Sequence, residues 1–301
     1  MNGIRHSILK RVIALVLCIG ALPFLNYARV YAGEDTRIED EEVLTSTPVS
    51  TESKWLDDYH RHIGFTYGAD VTLNANYLWR GLYAGGLCLQ PSANVGYGGL
   101  YAKMWWSVGT TDWAFTHFQP EFDFIVGFAR WGLDASLVYI HNFNCGFFDF
   151  HNYPDHGNVL ELDVRYTVSS KLPLSILWAT RLSAADGYLN AAGDTVRAYS
   201  TYIELSYTHR FPYDIRLYGG IGITPWRSLY TLFEQDFGVV NIDIRLRKDW
   251  SLSEHCGMML QAQFAMNPSR LAADLSTAEW HPSNPHRQSI NANIGLGFYL
   301  K

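Results

Sequence analysis

A strict alternation of apolar and polar residues constrains this chain more than any other feature. Between Asn158 and Val168, Leu160, Leu162, Val164 and Tyr166 share one side of a period of two, and Glu161, Asp163, Arg165 and Thr167 share the other. Successive side chains of a strand point to opposite faces, so such a strand carries one apolar face and one charged face. The same pattern runs from Phe237 to Arg247, where Val240, Ile242, Ile244 and Leu246 alternate with Asn241, Asp243, Arg245 and Arg247. It returns from Gln288 to Leu300, where Ile290, Ala292, Ile294, Leu296 and Phe298 alternate with Asn291, Asn293, Gly295 and Gly297.

Twelve segments of this kind begin near Ala69, Pro91, Leu100, Pro120, Gly132, Asn158, Leu172, Ala198, Asp214, Phe237, Gly257 and Gln288. In the first and third, Gly and Trp blur the alternation. Each is roughly ten residues long, the length of a tilted strand crossing a bilayer. Nowhere after the N-terminal region do about 18 apolar residues follow one another, which excludes a bundle of membrane-spanning helices. The connections alternate too. Short links at Gly98-Gly99, Arg130-Trp131, Ser169 to Lys171, Phe211 to Tyr213 and Lys248 to Cys256 are interleaved with longer ones at Gly81 to Gln90, Gly109 to Gln119, Asn142 to Gly157, Ala184 to Arg197, Thr224 to Asp236 and Asn267 to Arg287. A soluble sandwich also alternates, but it turns its apolar face inward and usually needs only about 100 residues. The expected fold is an all-β, transmembrane, antiparallel up-and-down barrel of about 12 strands, with apolar residues outside and polar ones inside. Its short turns, and both termini, are expected in the periplasm of a Gram-negative cell.

The N-terminal region fits this destination. Arg5, Lys10 and Arg11 precede an apolar run from Val12 to Leu25, and Val30-Tyr31-Ala32 offers small residues at a cleavage spacing. Residues 1–32 are therefore expected to be a secretory signal peptide. Residues 33–60 read as an acidic, flexible periplasmic leader, and residues 61–301 as the barrel. Removing the signal takes away Arg5, Lys10, Arg11 and Arg29 and no acid, which leaves 19 bases against 29 acids, a net charge of −10. A nucleic-acid partner is excluded, since no basic stripe is present to neutralise phosphates. The expected partners are outer-membrane lipid and lipopolysaccharide, the barrel-assembly machinery and small polar solutes. Aromatic residues make up 15% of the chain. Trp79, Trp105, Trp106, Trp113, Trp131, Trp178, Trp226, Trp250 and Trp280 fall mostly near predicted strand ends, as an interfacial belt would require.

The alternation also assigns the interior. Its acids are Asp70, Glu121, Asp123, Asp134, Glu161, Asp163, Glu204 and Asp243, and its bases Arg80, Lys103, Arg165, Arg181, Arg216, Arg245 and Arg247. Near balance of sign permits two arrangements: a narrow, almost unbiased aqueous pore, or cross-lumen ion pairs that plug the barrel. Inward Gly220, Gly222, Gly295 and Gly297 would leave room and favour the pore. Of the three cysteines after the signal, Cys88 and Cys145 fall in predicted loops on one side, where a disulfide is feasible, and Cys256 near the opposite rim.

One stretch resembles a known family. Asn76-Tyr77-Leu78-Trp79-Arg80-Gly81, then Leu89-Gln90-Pro91, then Gly99-Leu100-Tyr101-Ala102 with Trp105 following, is similar to the opening of the TorF-type porin family. Gly96-Tyr97 stands where that family has an aspartate-aromatic pair. The resemblance implies a porin-like barrel and names no solute.

These readings lead to an outer-membrane channel for passive or weakly selective passage of small polar solutes, with no enzymatic activity, no cofactor and no metal. Two alternatives come from other classes. Trp280-His281-Pro282-Ser283-Asn284 resembles the His-x-Ser motif of outer-membrane lipid hydrolases, in which His281 would take the Ser283 proton and Glu279 or Asp274 would orient it. Pro282 and Pro285 suit an irregular loop better. The other alternative is a closed structural or adhesion barrel whose loops do the work. His151, Asp155 and His156 match no metal-ligand spacing and read as solvated loop residues.

Overall fold

The structure is a computed structural model that describes residues 64–110, 118–141, 143, 145–150, 157–169, 171–183, 186–190, 192–271 and 289–300. The N-terminal assignments lie outside these residues, as do His151, Asp155, His156, Asp274, Glu279, His281 and Ser283.

In chain order the strands are β1 (Phe65–Asn74), β2 (Tyr77–Trp79), β3 (Leu82–Gly85), β4 (Cys88–Tyr97), β5 (Leu100–Thr110), β6 (Phe118–Arg130), β7 (Leu133–His141), β8 (Val159–Thr167), β9 (Leu174–Arg181), β10 (Gly187–Leu189), β11 (Thr195–Arg197), β12 (Thr201–Phe211), β13 (Ile215–Thr224), β14 (Gly238–Ser251), β15 (Cys256–Met266) and β16 (Ile290–Leu300). Twelve of them form a closed barrel in the order β1-β16-β15-β14-β13-β12-β9-β8-β7-β6-β5-β4. All its pairs are antiparallel, and β1 closes on β16 from Asp70 opposite Tyr299 to Asn74 opposite Gly295. Every barrel strand begins within four residues of its predicted start. The remaining strands make two small hairpins, β2-β3 and β10-β11, within the long connections.

The tight connections at one end follow from turn chemistry. Gly98 and Gly99 have φ of 61° and 105°, Trp131 and Gly132 of 55° and 79°, and Tyr213 and Asp214 of 66° and 55°. In the first two, paired positive φ values twist a two-residue link in the same sense as the strands it joins; the third link has three residues, Pro212 to Asp214.

The barrel is inverted relative to a soluble fold. Leu205, Ile221, Ile244, Leu246 and Ile294 are 50–64% exposed on the outside, whereas Glu161, Arg165, Glu204 and Asp243 inside are at most 2% exposed. The sequence alternation fixes this arrangement strand by strand.

Four expectations need correction. A Cβ on Gly222 would lie 2.3 Å from the Tyr202 ring, on Gly257 2.2 Å from Tyr299, and on Gly295 2.2 Å from Asn74. The inward glycines are therefore covered by neighbouring side chains and leave no open lane. The same holds for Gly220 under Tyr218 and Gly297 against Met259. Secondly, Val240 points inward. The β13-β14 register shifts at Gly222/Ile223, so Val240 is an extra, unpaired residue and turns from the apolar outer face to a fully buried inner position. Thirdly, Trp79 and Trp105 are interior rather than belt residues: Trp105 is 0% exposed and Trp79 packs on Tyr230. Finally, Cys88 lies on β4 rather than in a loop, and Cys88, Cys145 and Cys256 are all free thiols.

Candidate functional site

The connection between β1 and β4 does not project away from the barrel. At the end of β1 the chain is turned by β16: the Ala75 amide donates to the Ile294 carbonyl, and the Asn76 side chain donates to the Ala292 carbonyl at 2.6 Å. The β2-β3 hairpin that follows runs into the barrel interior. Its turn is Arg80-Gly81, with φ of 49° and 78°. Glycine is required at the second position for a further reason, because a Cβ there would lie 2.1 Å from the Val240 carbonyl oxygen.

Apolar packing holds the hairpin on several sides. Leu78 and Tyr83 pack with Ala265 of β15. Leu82 joins Leu177, Ala179, Tyr202, Tyr230 and Val240 in a cluster drawn from β9, β12, β14 and the β13-β14 connection. Burying a leucine fully contributes about 2 kcal/mol relative to leaving it in water. Tyr77 donates to Glu121 of β6 at 2.8 Å and packs against Trp105 of β5. Since β6 and β14 stand six places apart in the ring of twelve, the hairpin reaches opposite walls.

Arg80 is the polar centre of this plug. Its Nη1 lies 2.9 Å from Glu161 Oε1, its Nη2 lies 3.1 Å from Asp163 Oδ2, and it donates to the Tyr230 hydroxyl at 2.9 Å. The guanidinium also sits 4.7 Å over the Trp79 ring and 5.1 Å over Tyr202. Tyr230 comes from a short 3-10 turn, Leu229–Thr231, whose carbonyls are in turn held by the Asn267 side chain at 3.1 Å and Arg270 Nη2 at 3.1 Å.

Every other interior charge expected from the sequence faces inward from a strand. Glu121, Asp123 and Asp134 lie on β6 and β7, where Tyr101 donates to Asp134 at 2.8 Å and Lys103 stands in the field of Asp70, Asp123 and Asp134. Arg181 of β9 is opposite Glu161 of β8 and 5.6 Å from the Trp79 ring. Arg165 faces Glu204, which also accepts from Tyr202 at 2.5 Å and from Tyr218. Asp243 pairs with Arg245 and accepts from Gln263 at 3.0 Å. Asp249, which the sequence reading passed over, pairs with Arg247 at 2.7 Å and Arg216 at 3.0 Å. Its signal was present: it stands two residues beyond Arg247 on the same face.

Arg80 alone departs from its expected place, being on the tip of an inserted hairpin instead of a barrel strand. Tyr77, Trp79, Tyr202 and Tyr230 were not singled out as interior residues at all. Among the described residues, no group of three or more His, Cys, Asp and Glu side chains is arranged to hold a metal.

No family profile matches the chain, and no curated protein matches it in sequence. Solved structures with related architecture include an outer membrane channel from Pseudomonas putida F1, at 9% identity and a TM-score of 0.42, covering 81% of this chain and 97% of that one. A bacterial polysaccharide outer membrane secretin has 8% identity and a TM-score of 0.34, covering 79% and 98%. An anion-selective porin from Comamonas acidovorans has 8% identity and a TM-score of 0.30, covering 79% and 99%. These likenesses are too distant to carry a residue or a role over to this chain.

Proposed function

We propose that this chain is an outer-membrane channel of the porin kind, passing small polar solutes passively or with weak selectivity, and that the β2-β3 hairpin closes it in the conformation described. The carrying observation is the inversion of the barrel. A continuous apolar outer wall with Leu205, Ile221 and Ile294 more than half exposed has its natural solvent in lipid. The interior is built for water: the Asn94 side-chain amide, Asp123 Oδ1 and Trp105 Nε1 are buried with no hydrogen-bond partner among the described residues, a need that lumen water meets. Short turns then face the periplasm and the long connections face outward, which brings both termini to the periplasmic side. Lipid and lipopolysaccharide surround the wall, and the barrel-assembly machinery inserts it. On this reading the pore-lining charges do the selecting, and no covalent chemistry is performed.

The test is single-channel conductance of the mature protein in a planar bilayer, once heat-dependent gel mobility confirms a folded barrel. The expected result is infrequent, discrete steps in the parent protein. Neutralising Arg245 and Arg247 together takes the arginine partner from Asp243 and leaves Asp249 with Arg216 alone, which should shift the preference toward cations. A folded barrel that never conducts, even with the hairpin contacts removed, would overturn the proposal.

A further inference from the structure

The connection between β7 and β8 behaves in the opposite way to the inserted hairpin. Tyr139 and His141 lie on the outer face of β7, since the inward set on that strand is Asp134, Val138 and Ile140, all buried. Yet His141 is only 5% exposed, because the chain that follows folds down over it. His141 Nδ1 meets Asn158 Oδ1 at 2.5 Å, and the Asn158 amide donates to the Gly146 and Phe147 carbonyls at 2.7 and 2.9 Å. The Tyr139 hydroxyl also donates to the Phe147 carbonyl. Three hydrogen bonds to the Gly146 and Phe147 carbonyls thus hold this segment against the outside of the wall, and the His141 contact fixes the Asn158 side chain that supplies two of them.

What this tab presents is aromatic. Phe143, Phe147, Phe148 and Phe150 are 53%, 48%, 82% and 38% exposed. Their rings are linked to one another and to the wall: Phe147 lies 5.0 Å from Phe148 and 5.1 Å from Tyr139, and Phe143 4.4 Å from His141. No Lys or Arg occurs from Phe143 to Phe150, and the one charged residue is Asp149, so the surface offers no cation to an anionic headgroup. It is continuous below with the exposed outer residues Leu137 and Leu162 of the same two strands.

We infer that the Phe143–Phe150 tab is a lipid-docking surface, which inserts its phenylalanines among the acyl chains at the rim of the barrel and fixes how the barrel sits in the outer leaflet. This rests on the reading of the outer wall as lipid-facing. Acyl chains are the occupant because the tab extends that wall and carries no cation. Four phenylalanines leaving water would hold the rim to the bilayer far more firmly than a single belt residue.

Two measurements on the full mature chain in phosphatidylcholine vesicles test it. A nitroxide is placed at Phe148→Cys, Ile221→Cys (outer wall) or Gly193→Cys (an exposed loop), each with Cys145→Ser and Cys256→Ser. Collisions with oxygen and with a water-soluble nickel chelate are then compared. The expected result is that the label at 148 resembles that at 221: oxygen-accessible and shielded from nickel. A label at 148 that behaves like 193, with 221 still shielded, would overturn the tab and leave the barrel reading standing. Nickel access at 221 would overturn both. In the second measurement, photoreactive p-benzoylphenylalanine replaces Phe148 and preserves the aromatic bulk. A mass increase of one phospholipid supports the inference, whereas a crosslink to a second copy of the chain overturns it.

Discussion

The Arg80 guanidinium and the Glu161 carboxylate meet at 2.9 Å inside the barrel, with side chains only 2% and 3% exposed. One stands on the tip of an inserted hairpin and the other on the wall, so this contact ties the hairpin to the barrel.

Replacing Arg80 by Met removes the cation from a buried carboxylate, Glu161, and a partly exposed one, Asp163. Breaking a buried pair from one side typically costs about 3–5 kcal/mol. The hairpin should loosen, the unfolding midpoint in detergent should fall, and open-channel time should rise several-fold in the bilayer. Adding Glu161→Gln and Asp163→Asn should restore much of the stability. Conductance unchanged from the parent would show that the hairpin is not the closure.

Gly81→Ala tests the same element through the backbone. A residue with a side chain at φ +78° costs about 1–2 kcal/mol, and the added Cβ would meet the Val240 carbonyl. The hairpin should be displaced without any change of charge, so open time should rise while ion preference stays as in the parent protein. A channel as closed as the parent would count against the tight Gly81–Val240 approach.

Gly257→Ala places a Cβ 2.2 Å from the Tyr299 ring, directly across the β15-β16 pair. Overpacking of this kind typically costs about 1–3 kcal/mol. Chemical denaturation of the lipid-reconstituted protein should show that loss, and combining the change with Tyr299→Ala should make the two effects non-additive. Simple additivity would mean that the ring does not cover the glycine.

Leu205→Arg carries a charge onto the outer wall at a position 54% exposed. An arginine near the bilayer midplane costs about 2–4 kcal/mol, falling to about 0–1 kcal/mol at the interface. The same change at Trp131, in a tight turn at the barrel end, should therefore be nearly neutral. Equal effects at the two sites in refolding titrations would contradict a lipid-facing wall.

The strands and their two faces were legible in the sequence, and so was most of the charged interior. Alternation of Leu160, Leu162 and Val164 with Glu161, Asp163 and Arg165 is a property of local backbone stereochemistry, so it announces itself within ten residues. What it could not announce was where a connection goes. Arg80 and Gly81 read as the end of a strand, because their destination depends on Tyr230 and Glu161, far along the chain. Val240 was placed outside because a bulge is a mismatch between two strands, visible only once β13 and β14 are paired. The inward glycines looked like open space because the side chains that cover them lie on other strands or beside them, as Tyr202 does over Gly222. Sequence period determined the barrel and which residues face its interior. Long-range packing alone decided that the interior is filled by a hairpin, since the energy of that arrangement resides in contacts no local pattern contains.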